Sequence, residues 1–168
     1  RSNAGKSTLL NRFIGQKLAL TSQKPQSTRD RVVGIRTDPD TQIIIFDTPG
    51  LLEPKYELQE SMRSAAIKAL DEADVIVYLA DASDGIPPSL PEAANIDRTP
   101  RAPVIEVLNK CDLVPPARMV ELVQAKPDAA FISARTGEGV EDLLTRVRSM
   151  LPESPFLYPD DDVSTQSV

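Results

Sequence analysis

The sequence predicts an α/β protein in which a mostly parallel sheet carries helices on both faces. Short apolar segments alternate with amphipathic segments along the 168-residue chain, as expected when parallel strands are joined by helices. The apolar segment 43–46 follows another strand-like segment after a tight turn, which indicates an antiparallel hairpin. The last helix is the clearest, because its apolar residues recur 3, 4, 7, 10 and 11 positions after Val140 and Pro152 ends it.

The first half of the chain supplies two helices and the hairpin. Apolar residues at helical spacing predict a helix over 7–14 that ends at Gly15. A polar stretch over 21–31 is expected to be a loop. Two strands are predicted over 32–37 and 41–47, joined by the turn at 38–40. A second helix is predicted over 56–73, where leucine, methionine and alanine recur at helical intervals.

The strands that are predicted to be buried on both faces lie in the second half of the chain. Apolar runs predict strands over 75–80, 103–109 and 129–133, each covered on both faces. The segment 81–103 is rich in proline, serine, aspartate and alanine and is expected to be an extended connection with at most one short helix. Helices are predicted over 116–124, which opens with proline, and over 140–151.

The composition excludes several kinds of chemistry. The chain has no histidine and one cysteine, Cys111, so it lacks Ser-His, Cys-His and His-metal arrangements and an internal disulfide framework. A net charge of −6 disfavours nucleic-acid binding by this segment alone. No apolar run approaches the roughly 20 residues that cross a bilayer, and no signal segment opens the chain. We therefore expect a cytoplasmic protein whose chemistry uses lysine, hydroxyl groups, carboxylates, backbone amides or a bound cation.

A phosphate-binding loop is predicted where the chain begins. Gly5-Lys6-Ser7 at a helix start matches the end of the motif G-x-x-x-x-G-K-[ST]. In such a loop the backbone amides and the helix N-terminus face the phosphates, the lysine reaches their outer oxygens and the serine hydroxyl binds Mg²⁺. The residues expected at the nucleotide phosphates are Asn3, Ala4, Gly5, Lys6, Ser7 and Thr8.

A second segment, Asp47-Thr48-Pro49-Gly50, ends the Ile-rich strand of the hairpin. A carboxylate at the carboxyl end of a strand can hold the water shell of a metal ion, and the Gly50 amide can face a terminal phosphate. The alternative is a simple turn. We count Leu51, the next residue, among those expected at the nucleotide.

The base-binding loop is predicted at Asn109-Lys110-Cys111-Asp112, which ends a buried-type strand. A carboxylate at Asp112 can accept two N–H protons of guanine in a bidentate pair, a donor pattern that adenine lacks. Asn109 and Lys110 are expected to brace the loop and the base, and Cys111 to be a small packed residue rather than a reactive thiol. The alternative for this loop is a helix-capping turn.

The following strand ends at Ser133-Ala134-Arg135, which would place the Ala134 amide near the guanine oxygen. All of these segments fall at the ends of strands or at a helix start, in the order phosphate loop, metal and γ-phosphate sensor, base reader and base buttress. This order predicts a guanine-nucleotide site.

Five segments together resemble the family of bacterial Era GTPases. They are Gly5-Lys6-Ser7-Thr8-Leu9-Leu10-Asn11, Lys24-Pro25-Gln26-Ser27-Thr28-Arg29, Val33-Gly34-Ile35, Asp47-Thr48-Pro49-Gly50-Leu51 and Leu151-Pro152-Glu153. The resemblance covers essentially the whole chain. It implies the three-layer fold of P-loop NTPases, whose first strand and first phosphate-loop glycine would precede Arg1.

The resemblance also implies roles for single residues. Thr28 would be the switch threonine that closes on Mg²⁺ and the γ-phosphate, and Asp47 and Gly50 would belong to the second switch. Leu51 stands where Ras-like proteins keep a water-orienting glutamine, and an apolar side chain cannot polarise water. Because an asparagine at the position of Asn3 helps to hold K⁺ in related GTPases, we expect GTP hydrolysis to depend on K⁺.

The implied domain organisation is a GTPase domain over 1–152, without its first strand, and a linker over 153–168 toward a KH domain. In the Era family the KH domain binds the 3′ end of 16S rRNA during 30S assembly, and the proteins associate peripherally with the membrane. The partners implied are therefore a guanine nucleotide, the small ribosomal subunit and the inner face of the cell membrane. We expect a monomer.

Two alternatives stay open at this stage. The chain is either an Era-type GTPase or a related GTPase of tRNA modification or 50S assembly, which the sequence downstream would decide. It can also be a non-catalytic fragment, because loss of a central strand exposes two sheet edges and an apolar core. For that reason we expect the 168-residue chain alone to bind nucleotide poorly.

Overall fold

The computed structural model describes residues 5–15, 32–48, 60–155 and 157. The α-helices in this part of the chain are α1 (Lys6–Ile14), α2 (Glu60–Glu72), α3 (Leu90–Ala94), α4 (Pro116–Ala125) and α5 (Val140–Met150). Its strands are β1 (Val32–Asp38), β2 (Thr41–Phe46), β3 (Ile76–Asp81), β4 (Val104–Asn109) and β5 (Ala130–Phe131).

The described strands form two sheets. β3, β4 and β5 lie side by side in that order and are parallel, with Ile76 opposite Val104 at one end and Asp81 opposite Asn109 at the other. β1 and β2 form a separate antiparallel hairpin. The predicted parallel sheet and hairpin are both present, and the carboxyl ends of β3 and β4 meet at one edge.

A cavity of about 780 Å³ lies between the hairpin and the parallel sheet. Its walls include β2 and β3, and isoleucine, valine and leucine side chains from both strands line it. Each of these strands pairs on one side only within the described part of the chain. At one end the lining also includes Lys6, Asp47 and Thr48.

Helices cover both faces of the parallel sheet, as the sequence predicts. The first face packs on α1 and α5 through a cluster that includes Phe13, Ile105 and Leu144. The opposite face packs on α2 and α3 through Leu70 and Leu90, and on α4 through Leu122. The structure is thus a three-layer α/β arrangement, and no helix in its described part is long and apolar enough to cross a bilayer.

Every predicted boundary that falls on described residues agrees with the structure to within two residues, although the last strand is shortened at both ends. The start of the helix predicted over 56–73 lies outside the described residues. Pairing was predicted over 129–133, whereas β5 ends at Phe131. The cause lies in the next residue: the Ile132 amide still donates to Leu108 O at 2.9 Å, but Ile132 O accepts from the amide of Cys111, which already belongs to the following loop. The carbonyl group of Ile132 is therefore hydrogen-bonded to the loop that follows β4 rather than to a neighbouring strand.

The connection after β3 contains two short helices, a three-residue 3-10 helix (Ala82–Asp84) and α3, where at most one was predicted. Within 81–103, the five-residue α3 begins with a capping box, in which the Ser89 amide donates to Glu92 Oε2 at 2.9 Å. Such a pair satisfies amide groups that the first turn leaves without intrahelical partners. Tyr78 Oη donates to Pro88 O at 3.1 Å and ties the connection to β3.

Candidate functional site

The phosphate loop ends at Gly5, the residue before α1. Gly5 has φ +90°, and a Cβ atom there would lie 2.3 Å from Asn109 Nδ2. Glycine is therefore required both for the left-handed backbone and for the close approach of the two loops. Lys6, Ser7 and Thr8 follow in the exposed first turn of α1, where helix amide groups are available to an anion.

Lys6 and Asp47 meet at the end of the hairpin. The Nζ atom of Lys6 donates to both carboxylate oxygens of Asp47, at 2.9 and 3.0 Å. Asp47 directly follows β2, and Thr48 lies beside it in the wall of the cavity. The two groups predicted to serve the phosphates and the metal ion are thus within hydrogen-bonding distance of each other. Hard oxygen donors such as Asp47 and Ser7 suit Mg²⁺.

The base-binding loop leaves β4 at Asn109, which is buried with 2% exposure. Its Oδ1 atom accepts a hydrogen bond from the Ala134 amide at 2.9 Å. Lys110 has φ +65°, and its Nζ atom forms an ion pair with Asp81 at 2.8 Å. Asn109 and Lys110 therefore brace the loop from its two neighbouring strand ends.

Asp81 is a site residue that the sequence analysis did not single out. Burial opposes its ionisation, but hydrogen bonds from Lys110 and Ser83 outweigh burial and lower the pKa of the carboxyl group. Its position at the end of an apolar strand, level with Asn109 in the sheet register, is the signal that could have identified it.

Asp112 is held by two residues of the next loop. Ser133 Oγ donates to Asp112 Oδ1 at 2.8 Å. The guanidinium of Arg135 donates to Oδ2 through Nε and a terminal nitrogen, at 3.1 and 2.9 Å. The hydrogen bond from Ser133, followed by those from Arg135, lowers the pKa of Asp112. The carboxylate is thus ionised and ready to accept hydrogen bonds at neutral pH.

The amide of Ala134 has a different partner from the one expected. It was predicted to lie near a guanine oxygen, but it donates to Asn109 Oδ1. A guanine oxygen would therefore have to share this donor with the buried asparagine. Ser133, which precedes it, is fully buried, so the turn is anchored from inside.

Cys111 lies in the base-binding loop as a packed residue. Its amide donates to Ile132 O and its Sγ atom donates to Leu108 O at 3.3 Å. Burial raises the pKa of the thiol. These contacts agree with the structural role expected for Cys111 and keep the sulfur protonated.

Arg12 is a further residue that the sequence analysis missed. It lies in the last turn of α1 and donates hydrogen bonds to the carbonyl oxygens of Ala134 and Arg135. Its partners are backbone atoms more than 120 positions away. No pattern of side chains signals such a contact.

Several predicted site residues lie outside the described residues. They are Asn3, Ala4, Thr28, Pro49, Gly50 and Leu51. Their predicted roles therefore stay predictions. Within the described residues, Lys6 and Asp47 meet at one end, Asn109, Asp112 and Ser133 meet at the other, and Gly5 touches Asn109 between them.

The family model described as 50S ribosome-binding GTPase matches residues 1–110, which is more than half of the chain. The chain belongs to this GTPase family.

Two curated relatives are Era proteins. The first comparison is with Geobacter metallireducens and the second with Caldanaerobacter subterraneus. The chain is 39% identical over 167 residues to GTPase Era of Geobacter metallireducens, covering 96% of this chain and 56% of the relative. It is 41% identical over 176 residues to GTPase Era of Caldanaerobacter subterraneus, covering 99% of this chain and 58% of the relative. The resemblance to Era GTPases is confirmed, and the chain spans just over half the length of these relatives.

Solved structures of Era proteins also match the chain. A structure of Era in complex with MgGDPNP and nucleotides 1506–1542 of 16S ribosomal RNA matches with a TM-score of 0.69 and 38% identity, over 95% of this chain and 57% of that one. An Aquifex aeolicus Era variant bound to GDP and AlF4⁻ matches with the same TM-score, identity and coverage. The cytosolic domain of the Thermotoga maritima FeoB iron transporter shares the fold, with a TM-score of 0.58 and 21% identity.

Proposed function

We propose that this chain is part of a protein that binds GTP and GDP together with Mg²⁺ and hydrolyses GTP to GDP and phosphate, and that its 168 residues alone bind nucleotide with low affinity. The observation that carries the proposal is the contact between the phosphate loop and the base-binding loop at Gly5 and Asn109. Because the two loops touch, Lys6 would contact the phosphates and Asp112 the base of one bound nucleotide. The resemblance to Era structures that hold MgGDPNP and GDP with AlF4⁻ supports the same assignment.

The chain's own residues would divide the work of hydrolysis as follows. Lys6 neutralises the outer phosphate oxygens, and the first-turn amides of α1 bind the phosphates and hold them in line for attack by water. Ser7 and Asp47 would hold Mg²⁺, which supplies charge neutralisation for the phosphoryl group when bound. Catalysis of this kind depends on positioning and on electrostatic stabilisation rather than on covalent intermediates.

Base selectivity would depend on Asp112. Its two oxygens can accept two N–H protons of guanine, and Ser133 and Arg135 orient the carboxylate. Arg135 occupies Oδ2 through two hydrogen bonds, and its side chain is 77% exposed, so it can move aside for the base at low cost.

The substitution Asp112→Asn tests this function. The amide group turns one acceptor into a donor, so the variant should lose affinity for GDP by more than tenfold and gain affinity for xanthosine diphosphate. Both affinities are measured by competition with a fluorescent nucleotide. An unchanged preference for GDP would contradict the assignment of the base-binding loop.

We further propose that hydrolysis requires K⁺, because Asn3 matches the asparagine that helps to hold this ion in related GTPases and Leu51 cannot orient water. Thr28 and Gly50 would complete the catalytic residues as the switch threonine and the γ-phosphate sensor. Rates of GTP hydrolysis in matched potassium and sodium buffers test the K⁺ proposal, and equal rates would contradict it.

The proposed biological role is a switch in small-subunit assembly, with 16S rRNA bound through a KH domain outside this chain. Two findings bear on the partner: the family description names the 50S subunit, whereas a solved Era structure contains 16S RNA. Since the two curated relatives reported above are Era proteins, we propose the 30S subunit, a cytoplasmic location and peripheral membrane association. Co-sedimentation of the full-length protein with purified 30S and 50S subunits distinguishes the two roles, because preferential pelleting with 50S would contradict ours.

A further inference from the structure

Arg12 connects two parts of the nucleotide site that the sequence places far apart. It lies six residues after Lys6 on α1. Its Nε atom donates to Ala134 O, and a terminal nitrogen donates to Arg135 O at 2.6 Å. Both carbonyl groups belong to the loop that holds Asp112. Helix α1 thus begins at the phosphate loop and ends at the loop that holds Asp112.

The loop is shaped around the guanidinium of Arg12. Gly137 has φ +90°, and a Cβ atom there would lie 2.7 Å from the Nη1 atom of Arg12. A side chain at this position would push against the guanidinium, besides straining the backbone. Arg12 therefore occupies space that the loop leaves open for it.

Ser133 closes the turn of this loop by accepting two backbone hydrogen bonds. Its carbonyl oxygen accepts from the Gly137 amide at 2.8 Å, and its Oγ atom accepts from the Thr136 amide at 3.2 Å. The Ser133 hydroxyl in turn donates to Asp112. Because these bonds close the turn, a shift of the carbonyl groups bound by Arg12 would move Ser133 and the Asp112 carboxylate with it.

We propose that Arg12 is a positioning residue for guanine recognition. Its guanidinium fixes the loop 133–137 to α1 and so sets the position of Asp112 relative to the phosphate loop. A charged donor shared by two carbonyl groups suits this task, because such hydrogen bonds are stronger than neutral ones. The inference rests on the proposed function, since it concerns how selectively the same site binds guanine.

A matched control is present on the other face of the sheet. Arg63 of α2 also donates to two consecutive carbonyl groups, those of Ala94 and Asn95 at the end of α3. Arg63→Ala removes the same kind of contact without touching either nucleotide loop. It therefore reports the cost to stability alone.

The experiment measures the dissociation constants for GDP and ADP in the wild type, Arg12→Ala, Arg12→Lys and Arg63→Ala. Nucleotide concentrations up to the millimolar range keep weak binding measurable, and thermal unfolding is recorded for each protein. We expect the ratio of the ADP constant to the GDP constant to fall about tenfold in Arg12→Ala, as for loss of a charged hydrogen bond. It should fall less in Arg12→Lys, whose ammonium group retains the charge, and stay unchanged in Arg63→Ala.

Each outcome decides a separate question. An unchanged ratio in a folded Arg12 variant overturns the inference, and so does an equal fall in Arg63→Ala, which would indicate a general loss of stability. If Arg12→Ala does not fold, the Arg12→Lys ratio decides in the same way. A wild type that binds no guanine nucleotide contradicts the proposed function itself, whereas binding without an effect at Arg12 leaves that function standing.

Discussion

Lys6 Nζ lies 2.9 Å from one carboxylate oxygen of Asp47 and 3.0 Å from the other. The pair joins the first turn of α1 to the end of β2, and both side chains are partly exposed. An ion pair of this kind contributes little to stability, because water competes for both charges. We infer that the pair instead holds a cation and a carboxylate together where a nucleotide phosphate and Mg²⁺ would bind.

Substitution of Lys6 should therefore weaken binding more than folding. We expect Lys6→Ala to lower GDP affinity by about tenfold to a hundredfold, since a hydrogen bond to a charged group contributes about 1.5–3 kcal/mol. The free energy of unfolding should change by less than about 1 kcal/mol. Isothermal titration and urea unfolding measure the two effects. Lys68→Ala, which breaks an exposed ion pair with Glu72, is the control, and an equal loss of affinity there would refute the assignment.

Base selectivity should depend on pH through Asp112. Its pKa is lowered, chiefly by the hydrogen bond from Ser133, so the carboxylate stays ionised as the pH falls through the ordinary carboxyl range and loses its charge only as the pH falls through the lowered value. In Ser133→Ala the pKa of Asp112 should rise toward its ordinary value. The pH at which the preference for GDP over ADP disappears should therefore move upward in the variant. Identical pH profiles for the two proteins would show that Ser133 does not hold the carboxylate.

The main candidate site residues could be predicted from the sequence, but the residues that support them could not. Lys6, Asp47 and Asp112 were predictable because each follows a strand or begins a helix, and these ends converge in an α/β sheet. Arg12 was not, because it binds backbone carbonyl groups, which every residue possesses. The early end of β5 was not predictable for a related reason: an apolar run does not reveal that Ile132 O accepts from the loop of Cys111 rather than from a strand.

The thiol of Cys111 should react slowly in the folded protein. Burial raises its pKa, so the nucleophilic thiolate is scarce at neutral pH. We expect alkylation by iodoacetamide at pH 7.5 to be at least tenfold slower in the native protein than in urea. Mass spectrometry follows the reaction over time. Equal rates in the two conditions would contradict the packed role of Cys111.

The hairpin should depend on Asp38 for its attachment to α5. Asp38 Oδ2 accepts hydrogen bonds from Arg36, at 2.9 Å, and from Arg148. Burial opposes ionisation of Asp38, but the two arginines outweigh burial and lower its pKa. The stabilisation is therefore present above the ordinary carboxyl range and lost as pH falls through the lowered pKa.

We accordingly expect Asp38→Asn to destabilise the protein by about 1–2 kcal/mol at pH 7, because an amide keeps the shape but not the charge of the acceptor. Urea unfolding at several pH values measures the difference. The difference in the free energy of unfolding between wild type and variant should decrease as the pH is lowered below 4. A gap that is constant with pH would show that the charge of Asp38 is not what holds the hairpin.

A cavity lies between β2 and β3. Each strand is paired on one side only in the described part of the chain, and Ile43, Ile45, Val77 and Leu79 are among the residues that line the space between them. Such a space can receive an extended apolar segment, whose backbone would pair with both strands and whose two faces would be buried.

We expect a six-residue segment of valine and isoleucine, joined before Arg1, to raise the melting temperature by about 5 °C or more, since about 1 kcal/mol shifts the melting temperature of a chain of this size by roughly 2–4 °C. GDP affinity should rise with it, because the cavity ends at Lys6 and Asp47. The same segment with a central proline cannot pair on both sides and serves as the control. Calorimetry and nucleotide titration compare the two proteins, and equal stabilisation by both segments would mean that the added residues do not enter the sheet.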